Sequence, residues 1–313
     1  MNEKTGIVVR STGSWYSVRE MDGNLTDCKL KGNYKIKGIK STNPIAVGDK
    51  VSFGLMPDKE FGLIHKIFDR KNYIIRRSTN LSKRTHIIAS NIDQAFLIIT
   101  IANPRTSTGF IDRFLVNTEA FEIPCTLIIN KIDLIDEYSS DLLEEIKEIY
   151  SNVGYQIIET SAFTCFNIDR LKSEMAGKTT LFSGHSGVGK SALINALAPG
   201  LDIREGETSD VHQKGKHTTT NAEMYHLDFD AFIIDTPGIK EFGLTDFTSE
   251  EIGHFFPEIR EMMNQCKFNN CTHEHEPGCE VMKAVDLGQI SPVRYLNYLN
   301  IMHGEEMQIP DYE

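Results

Sequence analysis

A chain of 313 residues with 40% hydrophobic and 25% charged side chains has material for two or three packed domains, which argues against an intrinsically disordered protein. Its longest apolar run, around Ala95 to Ala102, is far short of the ~20 residues that span a bilayer, and the opening Met1-Asn2-Glu3-Lys4 leads into polar sequence, so we expect a cytoplasmic protein with no membrane partner. The net charge of −11 argues against a nucleic-acid ligand until it is divided: residues 1–85 carry 17 Lys and Arg against 8 Asp and Glu, a surplus of +9, while the remainder carries −20.

The elements read as follows in chain order. Residues 1–70 hold short strand-like runs, Gly6 to Val9, Trp15 to Arg19, Val47 to Phe53 and Gly62 to Ile67, separated by Gly, Asn, Pro and Asp. About five strands without helical periodicity suggest a small all-β barrel of the oligonucleotide-binding (OB) type, whose exposed face takes single-stranded nucleic acid. Lys29, Lys31, Lys35, Lys37 and Lys40, with Tyr34 among them, would supply charge and a stacking ring; the alternative is a solvated Lys-rich loop. Residues 71–90 are basic and read as a connector.

From Ile92 the pattern changes to buried apolar runs, 95–99, 125–129, 156–158, 180–182 and 232–234, with helical spacing over 109–122 and 139–152. This alternation predicts an α/β domain with a mostly parallel sheet, ending near residue 245. The remainder, 246–313, reads as helical apart from a cysteine cluster.

Gly184-His185-Ser186-Gly187-Val188-Gly189-Lys190-Ser191, followed by Ala192, lies between a strand and a helix and fits a phosphate-binding loop. Its glycines let backbone N–H groups wrap phosphates, Lys190 would reach the β and γ oxygens, and Ser191 would ligate Mg²⁺. Asp235-Thr236-Pro237-Gly238 closes the strand 232–234; Asp235 can hold Mg²⁺ and Gly238 can present its N–H to a γ-phosphate. Asn130-Lys131-Ile132-Asp133 closes another strand, where Asp133 can accept from guanine N1–H and its exocyclic amine, a pair adenine does not offer. The Lys131 stem can cover the base, and Thr160-Ser161-Ala162 would place a backbone N–H near guanine O6. Together these elements specify GTP and GDP over adenine nucleotides.

Cys266, Cys271 and Cys279 fall within fourteen residues beside His273 and His275. Three thiolates and one imidazole suit a closed tetrahedral structural Zn²⁺ site, with either histidine able to complete it. The other cysteines, Cys28, Cys125 and Cys165, are scattered.

These motifs are those of translation-factor-like GTPases in rotated order, with the base-reading elements before the phosphate loop and the switch elements last. With a basic barrel in front and a Cys/His cluster behind, the chain resembles the ribosome small subunit-dependent GTPase A family along essentially its whole length. Ala89-Ser90-Asn91-Ile92-Asp93 departs slightly from that family's usual Ala-Asn-Val-Asp run. The resemblance implies three parts: an OB-type β-barrel at 1–70 that binds ribosomal RNA, a circularly permuted P-loop GTPase domain at 71–245, and a mainly helical zinc module at 246–313. It selects His273 as the fourth zinc ligand. It also makes Lys216 to Thr220 the first switch, with Thr219, or Thr218 as runner-up, on Mg²⁺. Ile239 stands where many GTPases carry a water-orienting Gln, and the resemblance favours His217 for that role beside Lys190. The implied activity is GTP hydrolysis late in assembly of the small ribosomal subunit, stimulated by that subunit, by a protein that is monomeric off the ribosome. Two rival readings are a phosphotransferase for a small substrate and a nucleotide-gated RNA-binding module that barely hydrolyses.

Overall fold

Five antiparallel-rich strands begin the chain: β1 (Glu3–Ser11), β2 (Tyr16–Glu20), β3 (Leu25–Leu30), β4 (Lys50–Leu55) and β5 (Gly62–Ile67). The computed structural model describes residues 3–31, 44–56, 60–77, 85–201, 222–236 and 247–304. Within it the five strands close on themselves in the order β1-β2-β3-β5-β4-β1, with β3 and β5 parallel and every other pairing antiparallel. Closure removes the free edges that such short strands would otherwise expose. Alternate residues face inward, so Val8, Tyr16, Val18, Cys28, Val51, Phe53 and Ile64 form one buried core with Ile45. Lys29 and Lys31 belong to the described barrel; Tyr34, Lys35, Lys37 and Lys40 lie outside the described residues.

The segment read as a connector is instead an antiparallel hairpin of β6 (Tyr73–Arg77) and β7 (Thr85–Ser90). Its many basic residues masked two β-branched pairs, Ile74-Ile75 and Ile87-Ile88, of which Ile74, Ile75 and Ile87 are buried.

A second sheet portion follows: β8 (Gln94–Ile99), β9 (Cys125–Ile129), β10 (Gln156–Glu159), β11 (Thr179–Ser183), β12 (Glu223–Leu227) and β13 (Ala231–Asp235). Strands β10-β9-β8-β11-β13 are parallel, and β12 runs antiparallel at the end of the row. Strand β11, which leads into the glycine-rich run 184–191, is therefore central although three strands of this sheet precede it in sequence. Helices α1 (Thr108–Ala120), α2 (Glu137–Ser151), α3 (Ile168–Met175) and α4 (Lys190–Leu197) connect these strands, and two apolar clusters bury both faces, which is why β8 is buried at all six positions.

The barrel continues this sheet through β1, whose Arg10 registers opposite Glu223 of β12. A buried clasp reinforces the junction. Asp49, fully buried, accepts from Arg70 Nε (2.6 Å) and Nη2 (2.7 Å), from Ser90 Oγ (2.6 Å) and from the Ala46 N–H (2.8 Å). Gly48 beside it has φ +89°, and a Cβ there would meet the Ser90 carbonyl oxygen at 2.1 Å, so only glycine fits.

The C-terminal part carries α5 (Ser249–Ile252), α6 (Pro257–Met263), α7 (Glu280–Asp286) and α8 (Pro292–Met302) around a core of Ile252, Phe256, Ile259, Val281 and Tyr298. Val116 of α1 joins the same core, so this part packs directly on the α/β domain. No described helix is long and apolar enough to cross a membrane.

Candidate functional site

The carboxyl ends of the parallel strands point to one edge of the sheet, the place where open α/β sheets bind ligands. The turn after β11 is the glycine-rich loop. Gly187 (φ +86°) and Gly189 (φ +84°) take the left-handed conformation, and Gly189 caps α4. A Cβ on Gly189 would come within 2.6 Å of Asn130 Nδ2, and one on Gly184 within 2.5 Å of the Ile98 carbonyl oxygen. The loop thus has no room for side chains at these points, and Val188 is fully buried beneath it. Ser191 and Ala192 continue into the first turn of α4.

Lys190, 6% exposed, donates to Asp235 Oδ1 at 2.5 Å and to the Thr236 carbonyl at 2.6 Å. Asp235 reaches the loop because β13 lies beside β11, with Asp235 opposite Phe182. The arrangement unites a cation, a carboxylate and the Ser191 hydroxyl at a helix N-terminus, which is chemistry for an anionic phosphate chain with a hard divalent cation.

The candidate base-reading elements arrive from β9 and β10. Asn130 is buried and acts as a strut: its Nδ2 donates to the Val188 carbonyl (2.9 Å), while its Oδ1 accepts from the Ala162 N–H (3.2 Å) and from Thr160 Oγ1 (3.3 Å). One side chain therefore laces the 160–162 turn to the phosphate loop. Lys131 is left-handed (φ 63°) and its Nζ donates to the Asn103 carbonyl at 2.7 Å. Ile132 N–H donates to the Thr160 carbonyl at 3.2 Å, and Ser161 Oγ donates to the Asp133 carboxylate. That bond orients Asp133 and leaves its second oxygen available.

The structure brings all three motifs and Asp235 to one edge. Gly238, Thr219, Thr218, His217 and Ile239 lie outside the described residues. Sequence reasoning missed the turn after β8: Asn103 supports Lys131, and Thr106 Oγ1 lies 2.7 Å from His185 Nε2. The only signal for it was the Asn103-Pro104 turn directly after an apolar strand.

A second site lies in the C-terminal part. Cys266 Sγ is 3.9 Å from Cys279 Sγ and 3.5 Å from His273 Nδ1, which is 3.4 Å from Cys279 Sγ. With Cys271, all four donor atoms lie within 4.8 Å of one another. Zinc bonds of ~2.3 Å to sulfur and ~2.0–2.1 Å to nitrogen put the edges of a tetrahedron at roughly 3.5–3.8 Å, so this donor set fits the ion. His273 is 2% exposed and burial lowers its pKa, which favours the neutral imidazole a metal requires. His275, by contrast, turns an 80% exposed side chain toward Glu274. Cys279 also caps α7, its sulfur accepting from the Met282 N–H at 3.4 Å. Tyr295 and Tyr298 hold the loop by donating to the carbonyls of His273 (2.6 Å) and Thr272 (2.9 Å).

A family model described as RsgA GTPase matches residues 67–245, and one described as RsgA N-terminal domain matches residues 5–64. The small ribosomal subunit biogenesis GTPase RsgA of Christiangramia forsetii is 53% identical over 306 residues, covering 96% of each chain. A relative in Bacteroides thetaiotaomicron, small ribosomal subunit biogenesis GTPase RsgA 2, is 51% identical over 301 residues, 96% of this chain and 97% of its own. Among solved structures, YjeQ from Thermotoga maritima has a TM-score of 0.78 and 36% identity, over 96% of this chain and 98% of its own. YloQ, titled a circularly permuted GTPase, has a TM-score of 0.73 and 31% identity, over 97% of this chain and 95% of its own.

Proposed function

This chain belongs to the RsgA GTPase family, and we propose that its GTP hydrolysis times a late step in assembly of the small ribosomal subunit. It is a circularly permuted GTPase with an N-terminal barrel. The observation that carries the guanine-nucleotide reading is the Asn130 strut, which ties the 160–162 turn to the phosphate loop through Ala162 N–H and the Val188 carbonyl. A base held by Asp133 and Ala162 is thereby kept in register with phosphates on Gly184–Ala192.

In this reading Lys190 exchanges its bond to Asp235 for the β and γ oxygens, while Ser191, Asp235 and Thr219 hold Mg²⁺, which would neutralise charge on the transferring phosphoryl group. Gly238 senses the γ-phosphate and His217 orients the attacking water. The basic surface of the barrel contacts ribosomal RNA, and zinc on Cys266, Cys271, His273 and Cys279 would hold together the mainly helical C-terminal part. The division at about residues 70 and 245 separates these roles. The protein acts in the cytoplasm as a monomer off the ribosome.

Turnover of GTP and of ATP, each with purified small subunits, large subunits or neither, tests the proposal. GTP-selective hydrolysis accelerated by small subunits alone is expected. Equal use of ATP would point to the small-substrate phosphotransferase, and no acceleration by small subunits would remove the ribosomal role.

A further inference from the structure

The phosphate loop is backed by the turn that follows β8. Thr100 and Thr106 close this turn on themselves: Thr106 N–H donates to the Thr100 carbonyl at 2.9 Å, and Thr100 N–H donates to Thr106 Oγ1 at 3.0 Å. Pro104 lies against the loop, since a Cβ on Gly187 would sit 3.2 Å from Pro104 Cδ. His185 projects into the same space, with the Phe110 ring edge-on to it at 5.5 Å between centroids.

The proton positions around His185 follow from donor and acceptor chemistry. Its Nδ1 lies 2.9 Å from the Ser186 carbonyl, which can only accept, so Nδ1 carries the hydrogen. Burial lowers the imidazole's pKa, which favours the neutral ring, so Nε2 is an acceptor. The Thr106 hydroxyl, 2.7 Å away, must then donate to it. A directed chain results, from Thr100 N–H through Thr106 and His185 to the Ser186 carbonyl.

That carbonyl belongs to the peptide between Ser186 and Gly187. In a trans peptide the C=O and the next N–H point in opposite directions. Fixing the Ser186 oxygen on the imidazole side therefore fixes the Gly187 N–H on the other side. Gly187 does not hold this peptide itself, because glycine accepts either sign of φ and the unit can flip.

We propose that His185 and Thr106 are positioning residues for the nucleotide: they pin the Ser186–Gly187 peptide so that the Gly187 N–H faces the phosphates. The inference rests on the reading of residues 184–191 as the phosphate site.

Binding of GDP and of guanosine, measured on the full chain and its variants, tests it. His185→Phe removes the Nδ1 donor and is expected to weaken GDP binding about three- to tenfold while leaving guanosine unchanged. His185→Asn places an amide N–H near the position of Nδ1 and is expected to restore most of the GDP affinity. Thr106→Val, which loses only the hydroxyl, should give an intermediate loss, and Thr106→Ser none. Equal losses for His185→Phe and His185→Asn would overturn the proposal, as would a parallel fall in guanosine affinity. If the unaltered chain bound GDP no more tightly than guanosine, the phosphate-site reading would fall first and this inference with it.

Discussion

Arg294 and Asp112, 182 residues apart in sequence, meet in the interior with Arg294 Nη1 at 2.5 Å from Asp112 Oδ1. Neither is more than 1% exposed. Arg294 also forks onto both oxygens of Glu258 (2.7 and 2.9 Å), and Asn297 Nδ2 donates to Asp112 Oδ2 at 2.5 Å. Asp112 belongs to α1 of the GTPase domain and the others to α6 and α8, so this cluster joins the two. The guanidinium also lies over the Phe256 ring, 4.7 Å from its centroid.

Removing one partner of a buried pair leaves the other charge without compensation, which costs about 3–5 kcal/mol. Arg294→Met should therefore lower the unfolding free energy by about that amount in equilibrium denaturation. A loss below about 1 kcal/mol would show that the cluster does not hold the C-terminal part to α1.

Asp133 is expected to set base choice. In the proposed site its carboxylate would accept two hydrogen bonds from guanine, and each bond to a charged group contributes ~1.5–3 kcal/mol. Asp133→Asn replaces one acceptor by a donor, which fits the C2 carbonyl of xanthine instead. GTP binding should fall at least about a hundredfold and xanthosine triphosphate binding should rise. Competition binding with both nucleotides checks this, and retained guanine preference would place base reading elsewhere.

The candidate nucleotide site was the most legible part of the chain because its motifs are local. A phosphate loop is a run of adjacent residues whose glycines and lysine show directly in the sequence, and the same holds for Asn130 to Asp133. What could not be read depends on contacts between distant segments. Nothing in the sequence near Asn130 says that its amide binds Val188, 58 positions away. The pairing of Arg294 with Asp112 is equally invisible, and Arg294 alone reads as a surface charge. The hairpin Tyr73–Arg77 with Thr85–Ser90 was hidden by its basic residues, which drew attention from the isoleucines packed inside.

The cysteine cluster should bind one zinc ion per chain and hold structure rather than catalyse. Four ligands leave no open position for water. Elemental analysis of the purified chain is expected to find one zinc, and Cys279→Ser should lose it, since one of the four donors is removed while a serine can still cap α7. Guanine-nucleotide binding should persist in that variant while hydrogen exchange across Glu280–Asp286 accelerates. Loss of nucleotide binding with the metal would give the ion a role at the nucleotide site.

Glu276 ties the same loop and should make it acid-sensitive. Its Oε1 accepts from Thr272 N–H (2.7 Å) and Thr272 Oγ1 (2.6 Å), and its Oε2 accepts from the N–H groups of Glu274 (3.1 Å) and His275 (3.3 Å). Burial alone would raise the pKa of this carboxyl, but the Thr272 and backbone donors outweigh it and hold the group well below the usual carboxylate range. A carboxyl with a depressed folded pKa contributes stability that is complete above its unfolded value, about 4.5, and is lost as pH falls below that. Glu276→Gln keeps the shape and removes the charge, so it should be less stable than the unaltered chain at neutral pH. The gap in melting temperature between the two should narrow steadily from about pH 4.5 to pH 2. Because both proteins keep the same cysteines and His273, protonation of the zinc ligands affects them alike and cancels in the difference. A gap that stayed constant across this range would mean that the ionised Glu276 carboxylate does not hold the loop.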